Sequence, residues 1–104
     1  MSIFLIEAVR RDADGEVTDV MWGKVDPDNN RWLKEPHHAP VDDVVSALDS
    51  GDQVFSRHRV QGQFAPPRRT VIRRVLANGN ETIQSGPAQA NRPGELGLED
   101  LPEF

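Results

Sequence analysis

Two runs of strand-forming residues separated by an Asp-Gly pair stand at the start of the sequence, and they set the first limit on the fold. Residues 2–10 and 16–24 are rich in β-branched and aromatic side chains, which favour extended structure. Asp14-Gly15 lies between them, and both residue types tolerate the positive φ angles of tight hairpin turns. The sequence therefore predicts an antiparallel β-hairpin on which the later elements must pack.

Turn residues and short apolar runs continue this pattern along the chain. A turn at residues 26–30 leads to a short predicted strand at residues 31–34, so Trp22 and Trp32 are candidates for a cross-strand aromatic pair. A further strand is predicted at residues 53–61.

The segment from residue 69 to residue 77 fits two different structures. Four apolar residues have helical spacing, with arginines opposite them: Val71, Ile72, Val75 and Leu76. The alternative is a strand, a turn at Asn78-Gly79 and a return strand over residues 80–85. The density of β-branched side chains, the two prolines upstream and the Asn-Gly pair favour the hairpin.

One helix is predicted, over residues 40–50. Its apolar stripe follows the i, i+3, i+4, i+7 spacing and consists of Val41, Val44, Val45 and Leu48. Pro40 suits the first helical position, two aspartates suit the positive end of the helix dipole, and Gly51 suits the left-handed position after the last turn. A helix of about three turns is marginal alone, so it must pack on the sheet.

The chain has 104 residues and a mass of 11.6 kDa, which is the size of one domain. We predict an α+β domain over residues 1–85, with a mostly antiparallel, bent sheet of about five to six strands and the helix packed on it. Residues 86–104 are predicted to form a partly mobile tail rich in proline and glycine. Its apolar side chains are expected to dock on the domain, and they are Leu96, Leu98, Leu101 and Phe104.

Composition excludes several classes of protein. The chain contains no cysteine, which excludes disulfides, thiolate metal sites, iron–sulfur clusters and a cysteine nucleophile. Its longest apolar run, residues 3–6, is far shorter than the roughly 20 residues that span a bilayer, and no basic stretch precedes it as in a signal peptide. We therefore expect a cytoplasmic protein with no membrane partner, present as a monomer or a weak dimer.

Charge is distributed unevenly along the chain, whose net charge is −5. Residues 1–52 carry five basic and twelve acidic side chains, and residues 81–104 carry one arginine and five acids. Residues 53–80 contain no acid and six arginines, which are Arg57, Arg59, Arg68, Arg69, Arg73 and Arg74. These are the candidate anion- or partner-binding residues, because guanidinium groups bind phosphates and carboxylates bidentately. The alternative role is in ion pairs with acids of neighbouring strands.

The spacing of the three histidines does not indicate a metal site. Adjacent histidines such as His37 and His38 point apart on an extended chain, and His58 is the only other one, whereas a structural zinc site needs about four ligands. Exposed loop histidines before the helix are predicted instead. A role of His58 or His37 as a general base stays open, although nothing in the spacing supports it.

The sequence Asp26-x-Asp28-x-Asn30 begins like a calcium-binding loop. Arg31 stands where that loop needs glycine, and His37 stands where it needs a bidentate glutamate, so an Asx turn is predicted. The chain also lacks a glycine-rich phosphate loop. No metal and no cofactor are predicted.

The order of these features resembles a small bacterial family known only as a domain of unknown function. The matching segments are Ile6 to Arg10, Trp32, Val44-Val45-x-x-Leu48-x-x-Gly51, Phe55, Thr82-Ile83-Gln84-Ser85 and Leu98-Glu99-Asp100-Leu101-Pro102-Glu103. The sequence departs from the family pattern in ending on Phe104, where a cysteine is often final, and in a longer turn over residues 25–34. The resemblance implies an α+β fold with a docked tail and implies no activity.

These observations predict a non-catalytic accessory or protein-interaction module that presents the arginines or the tail to a protein partner. Binding of nucleic acid or another polyanion through the arginines is the alternative, but the pI of about 5.1 and the lack of a readout motif do not favour it. A small hydrolase or lyase is the third hypothesis. It needs a pocket of histidine and carboxylates that no sequence pattern indicates.

Overall fold

The structure is a computed structural model, and it describes residues 2–29, 31–60, 62–64, 69–86 and 96–104. Its strands are β1 (Ile3–Arg11), β2 (Val17–Asp26), β3 (Arg31–Pro40), β4 (Gln53–Ser56), β5 (Arg59–Val60), β6 (Gln63–Phe64), β7 (Val71–Val75) and β8 (Glu81–Ser85). Helix α1 (Val41–Asp49) connects β3 to β4, and a short 3-10 helix covers Leu98–Asp100.

The first four strands form one sheet in the order β3-β2-β1-β4. The β1–β2 and β2–β3 pairs are antiparallel, whereas β4, which follows the helix, runs parallel to β1. Strands β7 and β8 form an antiparallel hairpin, which a single bridge between Phe55 and Thr70 joins to β4. Among the described residues, six strands of four or more residues and one α-helix confirm the predicted α+β class.

The first hairpin is confirmed, and β3 is longer than the sequence indicated. Gly15 adopts a φ of 83° in the β1–β2 turn, as the Asp-Gly pair predicts. The sequence predicts His37 and His38 in a loop, but they lie in β3. The pairing of β2 with β3 continues as far as Asp19 and Pro40, and it keeps this part of the chain extended. The register sets Trp22 opposite His37, so the predicted pairing of the two tryptophans is wrong. The Trp22 ring stacks on Phe4, with the ring centroids 4.3 Å apart.

The ambiguous segment is a hairpin. Val71–Val75 pairs with Glu81–Ser85, and Gly79 has a φ of 88° in the intervening turn, so the helical alternative is wrong. The strand predicted at residues 53–61 is interrupted: β4 ends at Ser56, and β5 begins at Arg59. The interruption consists of Arg57 and His58, whose side chains line a cleft.

Helix α1 covers one face of the four-stranded sheet. Val44 and Val45 are buried, while Val41 and Leu48 pack against the edge of the core, as the apolar stripe predicts. Gly51 follows the helix with a φ of 87°. The core consists of Ile6, Val9, Val17, Val20, Trp22, Ala39, Val44, Val45, Val54, Val71, Ile83, Leu98 and Leu101. No helix among the described residues is both long and apolar enough to pass through a bilayer.

Residues 96–104, called the strap below, lie along the sheet. Leu98 and Leu101 belong to the core, at 3% and 4% exposure. The strap then continues parallel to β1 and forms a bridge between Val9 and Glu103. The predicted connector between β8 and the strap, residues 87–95, falls outside the described part of the chain.

Candidate functional site

The edge of β1 changes its partner halfway along the strand. Its first half pairs with β4, and the last contact on this side is a hydrogen bond from Arg57 N to Ile6 O at 2.8 Å. Its second half pairs with the strap, beginning with a hydrogen bond from Val9 N to Pro102 O at 3.0 Å. Glu7 lies between the two partners and is an extra residue in the β1–β2 ladder, which makes it a β-bulge. Bulges reorient side chains and are frequent beside functional sites.

A cleft of about 560 Å³ opens where the two partners of β1 diverge. This volume is within the range of ligand-binding clefts, roughly 300–1,000 Å³. Its polar lining residues are Glu7, Arg57, His58, Arg59 and Asp100, and its apolar lining residues are Leu96, Leu101 and Pro102. The strap thus supplies the apolar wall, while β1 and the chain after β4 supply most of the charge.

Arg57 is held in place from two sides. Its Nη1 lies 3.4 Å from Glu7 Oε2, and both side chains are about three-quarters buried. Its guanidinium carbon lies 5.4 Å from the centre of the Trp32 ring, within the distance of a cation–π contact.

The side chain of His58 is buried and forms a hydrogen bond with the strap. Its Nε2 lies 2.8 Å from Gly97 O. A carbonyl oxygen accepts only, so Nε2 carries the proton. This bond holds the chain after β4 against the strap, which fixes the two sides of the cleft relative to each other. The ring therefore has a positioning role.

Asp100 is also engaged within the strap. Its Oδ2 accepts a hydrogen bond from Gly97 N at 2.9 Å and closes the 3-10 turn. The cleft therefore contains two carboxylates with separate partners, Glu7 on Arg57 and Asp100 on the strap backbone. Arg59 is exposed at the rim of the cleft. The arrangement suits the binding of an amphipathic segment that carries negative charge.

Arg69 is a link between the strap and the β7–β8 hairpin. Its Nε and Nη2 donate to Gly86 O at 3.0 and 2.7 Å, and its Nη1 donates to Glu99 Oε1 at 3.0 Å. Ser85 Oγ accepts a hydrogen bond from Leu98 N at 2.6 Å beside this group. Arg69 is thus one of the predicted binding residues that contacts a carboxylate of the protein itself.

The remaining arginines of the basic block lie away from the cleft or outside the described residues. Arg73 contacts Asp49 of α1 at 2.8 Å, and Arg74 contacts Glu16, the residue before β2. These two are neighbours in β7, so their side chains point to opposite faces of the hairpin. Arg68 falls outside the described part of the chain.

The other polar motifs have local roles. Asp26 accepts hydrogen bonds from Asp28 N at 3.0 Å and from the Asn29 side chain, which confirms the predicted Asx turn. His37 Nδ1 lies 3.0 Å from Glu35 O, and His38 Nε2 lies 2.7 Å from an oxygen of Asp19 on the neighbouring strand. Within the described residues, no three histidine or acidic side chains are close enough to hold a metal ion.

Comparison of the chain with family models, with curated proteins and with solved structures finds no match. The resemblance of its motifs to a small bacterial family is therefore an expectation without a matching family model.

Sequence reasoning identified part of the cleft and missed part of it. Arg57 and Arg59 stood out by charge, and Leu96 and Leu101 stood out as apolar residues of the tail. Glu7 carried no signal, because a bulge shows only in the pairing of two strands. The cleft itself arises where two segments distant in sequence meet the same strand edge.

Proposed function

We propose that the protein is a non-catalytic interaction module whose cleft binds an acidic–apolar segment of a protein partner. The observation that supports this function best is the composition of the cleft, with Arg57 and Arg59 on one side and the strap leucines on the other. An extended chain with alternating carboxylates and aliphatic side chains complements both sides.

The charges of the site favour a peptide over a longer polyanion. Glu7 and Asp100 lie in the same cleft as the two arginines and would repel a continuous row of phosphates. Arg69, Arg73 and Arg74 each contact a carboxylate of the protein, so a polyanion along the whole basic block would have to compete with all of these pairs, whereas a peptide in the cleft meets only the pair of Arg57 with Glu7. A peptide needs to place one or two carboxylates beside Arg57 and Arg59, and it contributes apolar side chains for the opposite wall.

Fluorescence polarisation with a labelled decapeptide of alternating leucine and glutamate tests the proposal. The same peptide with glutamine in place of glutamate is the control ligand. We expect the glutamate peptide to bind about tenfold or more tightly than the glutamine peptide, because hydrogen bonds to charged groups contribute about 1.5–3 kcal/mol.

The variant Arg59→Glu should weaken binding of the glutamate peptide by about tenfold or more, since it places a like charge at the rim. Arg73→Glu is the matched control: it makes the same charge change on an arginine that contacts Asp49 outside the cleft, and binding should stay within about twofold. Equal losses in both variants would contradict the cleft as the site. Tighter binding of single-stranded DNA, with a steep salt dependence, would support the polyanion alternative instead.

A further inference from the structure

The outer part of the strap is attached to β1 as an added parallel strand. Val9 N donates to Pro102 O at 3.0 Å, and Phe104 N donates to Val9 O at 3.3 Å. Edge strands accept extended peptides from partner proteins in this way, with backbone hydrogen bonds for affinity and side-chain contacts for specificity. The strap occupies the edge that β4 leaves open after Ser56.

The side chains of the outer strap are recognised by basic residues of two strands. Arg10 Nε donates to Phe104 O at 3.2 Å, and the Arg10 guanidinium carbon lies 4.6 Å from the centre of the Phe104 ring. The His38 ring meets the same phenyl ring edge-on, with 5.3 Å between centroids. Arg11 contacts Glu103 at 3.3 Å, although the Glu103 side chain is 61% exposed. This part of the edge therefore contacts an acidic residue followed by an aromatic one.

The cleft and this edge form one continuous surface. Leu101 and Pro102 line the cleft, and Pro102 also accepts the first hydrogen bond from β1. Arg11 Nη2 donates to Leu98 O at 2.8 Å, which extends the contact with β1 to the inner part of the strap. Any extended segment that runs along the whole surface must take the positions that the strap occupies.

We infer that the second half of the β1 edge is a strand-acceptor surface, that the strap is its resident occupant, and that an extended partner segment of the same chemistry replaces it. The partner segment carries leucine, proline, an acidic residue and an aromatic residue at the positions of Leu101, Pro102, Glu103 and Phe104. The inference rests on the proposed function only in assigning a protein partner to the site. It differs in the binding mode, because a segment that replaces the strap brings its own leucine and proline to the positions of Leu101 and Pro102, which otherwise form part of the apolar wall of the cleft.

If the strap competes with the partner segment, a substitution that weakens the strap should strengthen binding of the partner segment. The apparent dissociation constant of an incoming segment equals its intrinsic value divided by the fraction of molecules with the edge open. A substitution in the strap raises that fraction and tightens binding in trans. A substitution in the acceptor edge weakens the resident and the incoming segment alike, so the two effects cancel.

The experiment uses the full chain and a fluorescein-labelled peptide with the sequence of residues 96–104. The substitution Leu101→Ser is made in the protein only, and the peptide keeps its leucine. We expect the variant to bind the peptide about tenfold or more tightly than the wild type does. Phe104→Ala, which removes the ring held by Arg10 and His38, should tighten binding in the same direction. If amide NMR spectra show that Leu101→Ser is not folded, the affinity of Phe104→Ala for the peptide tests the inference instead.

The matched control is Arg73→Ser, which removes an arginine that contacts Asp49 of α1 away from the β1 edge, and for which the affinity should stay within about twofold of the wild type. Folded strap variants that bind the peptide no more tightly than the wild type overturn the inference. A wild-type dimer in sedimentation that the peptide converts to monomer makes a second copy the occupant, and this result overturns the assignment to a partner protein.

The two proposals can fail separately. If the leucine–glutamate peptide binds through Arg59 while the strap variants change nothing, the resident-strap inference fails and the proposed function stands. If the strap variants tighten binding of the residue 96–104 peptide while the leucine–glutamate peptide does not bind at all, the acidic–apolar cleft fails and the strand exchange stands.

Discussion

At the scale of single residues, Gly23 on β2 shows how one position can support the cleft from a distance. A Cβ atom at Gly23 would lie 2.6 Å from Trp32 Cζ3 and 2.7 Å from the backbone oxygen of Lys34, both far inside van der Waals contact. The Trp32 ring therefore lies directly against this glycine, and it also contacts Arg57 of the cleft. The oxygen of Lys34 cannot move aside without shifting β3.

Gly23→Ala should lower the free energy of unfolding by about 1–3 kcal/mol, the usual cost of overpacking. Urea denaturation followed by tryptophan fluorescence measures this change. Gln53→Ala, at an exposed position of β4, is the control and should change stability by less than about 0.5 kcal/mol. A Gly23→Ala protein as stable as the wild type would show that the ring has room to move.

A second residue-scale prediction concerns Asp19. The hydrogen bond with His38 is the main cause that lowers the pKa of Asp19 below its ordinary value of 3.8. A carboxyl group with a lower pKa in the folded state stabilises the fold above the ordinary value, and this contribution is lost as the pH falls through the lowered pKa. The Asp19→Asn variant should be less stable than the wild type at neutral pH.

Urea denaturation from neutral pH to about pH 2 tests this dependence. The stability difference between the wild type and Asp19→Asn should shrink once the pH falls below 3.8. Asp14→Asn, at an exposed turn position, serves as the control for removing one negative charge. A difference that stays constant down to the lowest pH would mean that the carboxylate contributes nothing through its ionisation.

At the scale of elements, local signals were predictable and long-range pairing was not. Asp14-Gly15 and Asn78-Gly79 specify their turns through the φ preferences of a few residues, and α1 is specified by its own apolar stripe. The extension of β3 to Pro40 depends on β2, and the parallel β1–β4 pair depends on residues about fifty positions apart. The cleft results from such pairings, which is why charge and hydropathy marked its arginines and leucines but not Glu7.

A buried hydrogen bond couples the β7–β8 hairpin to the first sheet, in addition to the bridge between Phe55 and Thr70. Thr82 is 1% exposed, and its Oγ1 donates to Val17 O at 2.9 Å. Thr82→Val keeps the shape of the side chain and leaves the Val17 carbonyl without this donor. The free energy of unfolding should fall by about 1–3 kcal/mol in urea denaturation.

Thr18→Val is a matched control for this prediction, because the Thr18 hydroxyl donates to Arg10 O at 3.2 Å in an exposed place where water can replace it. Its cost should be clearly smaller than that of Thr82→Val. Equal costs would mean that burial does not distinguish the two bonds and that other contacts hold the hairpin on the sheet.

At the scale of the whole molecule, charges that are separated in the sequence become mixed in space. The acidic first block and the basic middle block meet through Arg57 with Glu7, Arg74 with Glu16 and Arg73 with Asp49. Arginines of the middle block therefore connect different elements of the fold. The exposure of each arginine determines how much its ion pair contributes to the free energy of unfolding. Exposed ion pairs contribute about 0–1 kcal/mol, whereas hydrogen bonds to charged groups that are shielded from water contribute about 1.5–3 kcal/mol.

Arg69 and Arg73 allow this difference to be measured with the same substitution. The Arg69 side chain is 15% exposed and donates to Gly86 O and Glu99, while the Arg73 side chain is 45% exposed and contacts Asp49. Arg69→Met should lower the free energy of unfolding by about 1.5–3 kcal/mol, and Arg73→Met by less than about 1 kcal/mol. Because Arg69 joins the strap to the β7–β8 hairpin, its loss should also speed amide hydrogen exchange at residues 97–104. If exchange there is unchanged while stability falls, Arg69 supports the hairpin alone and the strap is held by its leucines.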